Sequence, residues 1–226
     1  MAARANTILV QGAGGDIPDA DPGTGAPSIT TYDMVIADLG VLPTTGNNVT
    51  LSLIGFLHPY AGALIVSLTN LNSGVTRDVF NQPGVGAPSN DTCLNSTVLG
   101  YCANFGDNYD FNGNYSGDLW TTAAALGDAD FIPGDQYFPV TAGGAPSLLS
   151  SAFNSPSDQT LLPVAGTWRL TITNFFPGPD DPFATFTGWQ LAVVVNGVAN
   201  DVPEPSYGVV LLVLAAAVLA GQRLTV

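Results

Sequence analysis

Between Gly106 and Asp118 the chain reads GDNYDFNGNYSGD, which sets oxygen-bearing side chains at Asp107, Asp110, Asn112, Asn114, Ser116 and Asp118, with glycines at 113 and 117. Calcium takes about six to eight oxygen ligands in flexible geometry, so hard donors this dense among turn-forming glycines point to a calcium loop. An EF-hand is excluded, because the acidic residue that closes such a loop is missing and no helical pattern flanks it. A second acidic run, GDIPDADPG, brings Asp16, Asp19 and Asp21 close together in the same way. Calcium is therefore the one expected cofactor. The competing reading is that exposed carboxylates keep a lysine-free chain in solution.

Other chemistries find few residues to work with. His58 is the single histidine and lies in FLHPYAGAL without a nucleophile elbow, which makes it a structural residue rather than a triad base. One histidine and two cysteines cannot assemble a structural zinc site. The Gly-rich QGAGGD lacks the Gly-Lys-Ser/Thr ending of a phosphate loop. A carboxylate pair of the glycosidase type stays open, but nothing singles out one pair. Arg4, Arg77, Arg169 and Arg223 are the only basic residues, against a formal net charge of -14. Nucleic acid is excluded as a partner, because phosphate contacts need clustered lysine and arginine. Cys93 and Cys102 close a short loop in a Gly, Asn and Ser-rich stretch, the spacing of a local disulfide in an exported protein.

The elements that must position these residues read as strands. Glycine and proline number 26 and 17, punctuating the chain at intervals that suit short strands and not long helices. In VTLSL the residues Val49, Leu51 and Leu53 share one face, and in LIVSL so do Leu64, Val66 and Leu68. GTWRLTITNF and TGWQLAVVV alternate in the same way and place Trp168 and Trp189 in the core. LWTTAAAL is the one short helix expected in the globular part. The fold class is thus all-β, an antiparallel sandwich of jelly-roll type, with a hydrophobic helix at the C-terminus.

Three stretches carry a resemblance: IPDADPG, HPYAGALIVSLTNLNSG and VAGTWRLTITNFFPGPDDPFATFTGWQLAVV. Together they resemble the P domain of proprotein convertases, the jelly-roll module that follows a subtilisin-like catalytic domain, over residues 16–196. The third stretch is the most specific, a Gly-Thr-Trp strand, an acidic loop and a Gly-Trp strand. Where that family usually has Asp after Tyr-x-Gly, this chain has Ala63, so any role of that carboxylate is missing.

The tail resembles something else. Val202, Pro203, Glu204 and Pro205 precede an apolar run from Tyr207 to Gly221, and Arg223 follows it. This is similar to the PEP-CTERM sorting signal of exported proteins in exopolysaccharide-producing Gram-negative bacteria. The run falls short of the roughly 20 apolar residues of a permanent span, as suits a transient anchor, and Arg223 would keep the C-terminus cytoplasmic. The resemblance implies cleavage near the motif by exosortase, a membrane cysteine protease. It also implies export, so a signal peptide upstream of Met1 is expected, because MAARANTILVQGAGG has no apolar core of its own.

The expected organisation is an N-terminal strand or linker at 1–15, a P-domain-like jelly roll at 16–198 and the sorting signal at 199–226. The expected function is a non-enzymatic protein, anchored briefly in the inner membrane and then passed to the cell surface or extracellular matrix. There it would act structurally or adhesively, with exopolysaccharide or surface proteins as partners. One alternative is a calcium-dependent carbohydrate-binding module presenting Tyr101, Tyr109, Tyr115 and Trp120. The other is a hydrolase or protease-accessory domain.

Overall fold

The computed structural model describes residues 5–37, 48–86, 99–127, 130–147, 149, 165–177 and 184–196. Strands β1 (Ala5–Asp16), β2 (Ser28–Ile36), β3 (Val49–His58), β4 (Leu64–Asn70), β5 (Val75–Asn81) and β6 (Phe105–Phe111) come first. The short helix α1 (Leu119–Ala124), the two-residue β7 (Gln136–Tyr137), β8 (Gly166–Asn174) and β9 (Thr185–Asn196) follow. They form a five-stranded sheet ordered β1-β9-β3-β6-β7 and a four-stranded sheet ordered β2-β8-β4-β5. The protein is mostly β-strand, two sheets in a sandwich-like arrangement.

Period-2 alternation drives the two sheets together. Trp168, Leu170 and Ile172 of β8 face Trp189, Leu191 and Val193 of β9 across one core, while Thr167, Arg169, Thr171 and Thr173 face outward. Fully burying a large apolar side chain stabilises by about 1.5–3 kcal/mol, so this continuous cluster is the main term holding the sheets. Aromatics fill its centre: Phe56 meets Phe105 edge-on at a centroid distance of 5.2 Å and Phe80 at 6.4 Å. Such pairs add about 0.5–1.5 kcal/mol beyond their area.

One glycine sets the phase of β3. Val49, Leu51 and Leu53 point inward on odd positions, yet Phe56 and His58 point inward on even ones. The register against β6 shifts between Leu53 and Phe56, and Gly55 sits there with φ +58. A side chain would strain that left-handed backbone. The Gly55 N–H donates to Asn108 Oδ1 at 2.7 Å, which pins the bulge from the neighbouring strand.

The segment expected as an N-terminal strand or linker carries a strand. Ala5–Asp16 is an edge strand of the sandwich, paired with β9 along its whole length. Its signal was weak because glycine stands at inward positions. At Gly12 a Cβ would come within 2.2 Å of the Trp189 indole nitrogen, so the ring occupies the place of a side chain. Among the described residues no helix is long and apolar enough to cross a membrane. The expected C-terminal helix and the motif residues Val202, Pro203, Glu204, Pro205 and Arg223 lie outside the described residues.

Candidate functional site

One end of the sandwich gathers the ends of β1, β3 and β8 with the starts of β2, β4, β6 and β9. Asn174, the last residue of β8, is fully buried there and organises its neighbours. Its Nδ2 donates to the Pro18 carbonyl and to Asp19 Oδ1, both at 3.1 Å, and its Oδ1 accepts from the Phe176 N–H at 2.9 Å. Asp19 is only 7% exposed, so this amide is a main reason a carboxylate tolerates the position. The backbone closes the same knot, with the Ala20 N–H donating to the Phe176 carbonyl at 2.9 Å and Ile17 to Ala184 at 2.8 Å.

His58 belongs to this knot. It is 2% exposed, and its Nδ1 lies 3.1 Å from both the Tyr60 nitrogen and the Tyr60 carbonyl oxygen, accepting from the one or donating to the other as the tautomer sets. Burial pushes its pKa down to about 3, against weaker opposite pulls from the Tyr60 backbone and the Asn174 side chain. The imidazole is therefore neutral at ordinary pH. Nε2 is buried without a hydrogen-bond partner among the described residues. A general base needs both access and a pKa near the operating pH, and this ring has neither.

Above the knot lies a notch lined by Tyr60, Leu99, Gly100, Tyr101, Cys102 and Phe176. Tyr60 and Phe176 stack with centroids 4.4 Å apart and planes 21° apart. Its volume is about 50 Å³. Ligand pockets run to about 300–1,000 Å³, so this one holds a side-chain tip or one face of a small ring at most. Tyr60 and Phe176 were not singled out from sequence. Their only signal is position, each an aromatic residue just past a strand end.

The residues expected to bind calcium are dispersed. Asp16 ends β1 exposed, and its carbonyl accepts from Tyr32 Oη at 2.7 Å. Asp21 folds its own turn: Oδ1 accepts from the Gly23 and Thr24 N–H groups, and the Gly23 bond is the first cause of its lowered pKa. Asp107 and Asp110 lie on β6, where Asp107 Oδ1 accepts from Asn108 N at 2.7 Å. Asn112 is buried, its Nδ2 donating to the Val49 carbonyl at 3.0 Å and Thr50 Oγ1 at 2.9 Å. Its Oδ1 accepts from the Asn114 N–H at 2.8 Å. Asp118 is the N-cap of α1: Oδ1 accepts from Trp120 N at 2.9 Å and Oδ2 from Thr121 Oγ1 at 2.6 Å. Among the described residues no group of three or more His, Cys, Asp or Glu converges. These donors serve turns, a bulge clamp and a cap.

The aromatics named for carbohydrate binding divide. Tyr109 is fully buried; its hydroxyl donates to the Ile132 carbonyl at 2.8 Å and accepts from Gly106 N at 3.0 Å. Burial is the first cause that pushes the Tyr109 pKa up to about 12. Tyr101, Tyr115 and Trp120 are half-buried, and Tyr101 meets Trp120 edge-on with centroids 6.4 Å apart. Trp168 and Trp189 are both fully buried. Cys102 is 4% exposed and is not a free thiol, and Cys93 lies outside the described residues.

No family model matches the sequence, and no curated protein matches it. Among solved structures the chain is similar to a serine protease of Aeromonas sobria, at 13% identity and a TM-score of 0.32, covering 84% of this chain and 27% of that one. It is also similar to the Aeromonas sobria serine protease in complex with its chaperone, at 13% identity and a TM-score of 0.33, covering 85% and 28%. The chain thus spans less than a third of the length of these structures. At those TM-scores the likeness carries no argument about fold or activity.

Proposed function

We propose that this chain is an exported, non-enzymatic module of jelly-roll type, resembling a convertase P domain, whose tail holds it briefly in the inner membrane. Exosortase then cuts near Pro203–Pro205, and the module passes to the cell surface or extracellular matrix of a Gram-negative bacterium. There it acts structurally or adhesively, against exopolysaccharide or other surface proteins. The observation that carries this reading is the placement of the sorting motif. Strand β9 ends at Asn196 and lies inside its sheet, between β1 and β3, whereas the motif begins at Val202. A cut there leaves every described strand intact. A Cys93–Cys102 disulfide, formed on export, fits the burial of Cys102 at this end.

The test is mass spectrometry of the exported protein in a host that carries exosortase. The expected C-terminus lies near Val202; exported protein that still ends at Val226 overturns the reading. The neutral, buried His58 supports a non-enzymatic role, because the chain's single histidine is not positioned to move a proton.

A further inference from the structure

Building on the exopolysaccharide reading above, we propose that the ring of Phe131 is a platform for a cationic sugar, an amino-bearing pyranose of a deacetylated amino-sugar polymer. Phe131 is 61% exposed, yet its backbone is held on both sides. It bridges Asn104 in parallel: the Asn104 N–H donates to the Asp130 carbonyl and the Ile132 N–H to the Asn104 carbonyl, both at 2.8 Å. The Ile132 carbonyl in turn accepts from the buried Tyr109 hydroxyl at 2.8 Å.

The ring is laid on the sheet. A Cβ at Gly106 would come within 2.3 Å of Phe131 Cδ1 and 2.7 Å of Cε1, so the ring fills the place of a side chain on β6. Gly106 pairs with Leu57 of β3, and directly paired residues project to the same face. Leu57 is 37% exposed, so the ring lies beside it on the outer face of the five-stranded sheet. Further along β6 on that face, Asn108 is exposed; its Oδ1 accepts from the Gly55 N–H at 2.7 Å, which fixes the amide and leaves Nδ2 to donate. An aromatic side chain buries about 150–250 Å² when fully covered. Even with Leu57 beside it, that is far below the roughly 800 Å² per partner of a stable protein interface, so the platform fits one ring-sized unit.

Charge selects the ligand. The face of an aromatic ring is negative, which attracts both the weakly positive C–H groups on the apolar side of a pyranose and a nearby cation. Asp130 precedes Phe131 and Asp107 follows Gly106, and both are exposed. Each uses one oxygen locally, Asp130 Oδ2 for the Gly127 N–H at 2.9 Å and Asp107 Oδ1 for the Asn108 N–H at 2.7 Å, which leaves the other oxygen to accept from an ammonium. The whole chain carries a formal net charge of -14, so it draws in a polycation and repels a uronate polymer at the same place. A neutral glycan gains the stacking alone.

Isothermal titration calorimetry of the full chain with a glucosamine hexamer tests this, beside the N-acetylglucosamine hexamer as neutral probe and an oligogalacturonate as anionic one. The glucosamine hexamer should bind, and Phe131→Ala should weaken it about tenfold. Gly106→Ala, whose methyl group displaces the ring without removing it, should weaken it by a similar factor, while Phe131→Trp should keep the affinity. Ile29→Ala, at an exposed apolar position of β2 in the other sheet, should change nothing. The proposal is overturned if the glucosamine hexamer does not bind, if either other probe binds equally well, if Phe131→Ala leaves binding unchanged, or if Ile29→Ala weakens it as much. In Phe131→Trp the added fluorescence should be that of a solvent-exposed indole and should change with the hexamer; the emission of a buried indole means that the ring is covered, and overturns the proposal too. The C-terminal cut is read separately by mass spectrometry. Export without glycan binding therefore defeats only the platform, and glycan binding by an exported chain that still ends at Val226 defeats only the sorting reading.

Discussion

Two segments of this molecule are rich in acidic and amide side chains, and they are built in opposite ways. Around Asp16–Asp21 the polar groups turn inward: Asp19 is buried and accepts from the fully buried Asn174, beside a neutral His58. Around Asp107–Asp118 the carboxylates stay at the surface or on a helix end, and the one buried polar side chain is Asn112, an uncharged amide tied to β3. The first segment locks a loop end by burying a carboxylate, the second by local caps and one neutral clamp. Burial separates them, and burial sets how much each group can matter.

The largest expected effect tests that difference directly. Asn174→Leu removes one partner each of the buried Asp19 carboxylate, the Pro18 carbonyl and the Phe176 N–H, and should lower stability by about 3 kcal/mol. Asn112→Leu removes bonds to the Val49 carbonyl, the Thr50 hydroxyl and the Asn114 N–H and should cost about 1–2 kcal/mol. Urea denaturation of both variants measures the gap. Equal losses would break the comparison, because they would mean that the carboxylate adds nothing.

The next effect is a pH dependence confined to the first segment. The folded pKa of His58, about 3, lies below its ordinary 6.5, so the unfolded chain takes up the proton first as pH falls. Stability is therefore complete above pH 6.5 and declines below it, by about 2 kcal/mol at pH 5. Asp21 and Asp33, whose pKa values are lowered from 3.8, contribute only at lower pH, below the range in which the histidine of the unfolded chain takes up its proton. Denaturation midpoints across that range should fall in the wild type and stay flat in His58→Gln. A flat wild-type profile would mean that the ring is not sealed from water.

Legibility in the sequence followed the side chains that alternate. Strands β4, β8 and β9 were readable because Leu, Val, Ile and Trp recur on every second residue, and the two sheets follow from that pattern. Strand β1 was less so, because Gly12 stands where the Trp189 ring lies over the backbone. The candidate site was legible in composition only. Oxygen donors close in sequence suggested one ion, but Asp107 and Asp110 lie along strand β6 and Asp118 is drawn off as a cap. The Asn174 knot was invisible because its members, at 18–19, 58, 174 and 176, meet only once the strands have paired.

The smallest effects belong to the second segment. Asp118→Ala removes the N-cap of α1 and should cost about 1 kcal/mol, whereas Asp118→Asn, whose amide oxygen still accepts the same N–H groups, should keep most of that stability, as read by thermal melts. Calcium provides the last separation. An ion that binds the folded chain but not the unfolded one raises the melting midpoint by mass action, and at about a hundred times its dissociation constant the gain is near 2.7 kcal/mol. Asp118 and Asn112 already accept backbone N–H groups through their side-chain oxygens, so the expected outcome is no shift between chelator and millimolar calcium. A rise that disappears in Asp107→Asn or Asp110→Asn would reverse this: the exposed carboxylates of β6 would then be ligands that come together only around the ion, and the second segment would no longer be merely a set of caps.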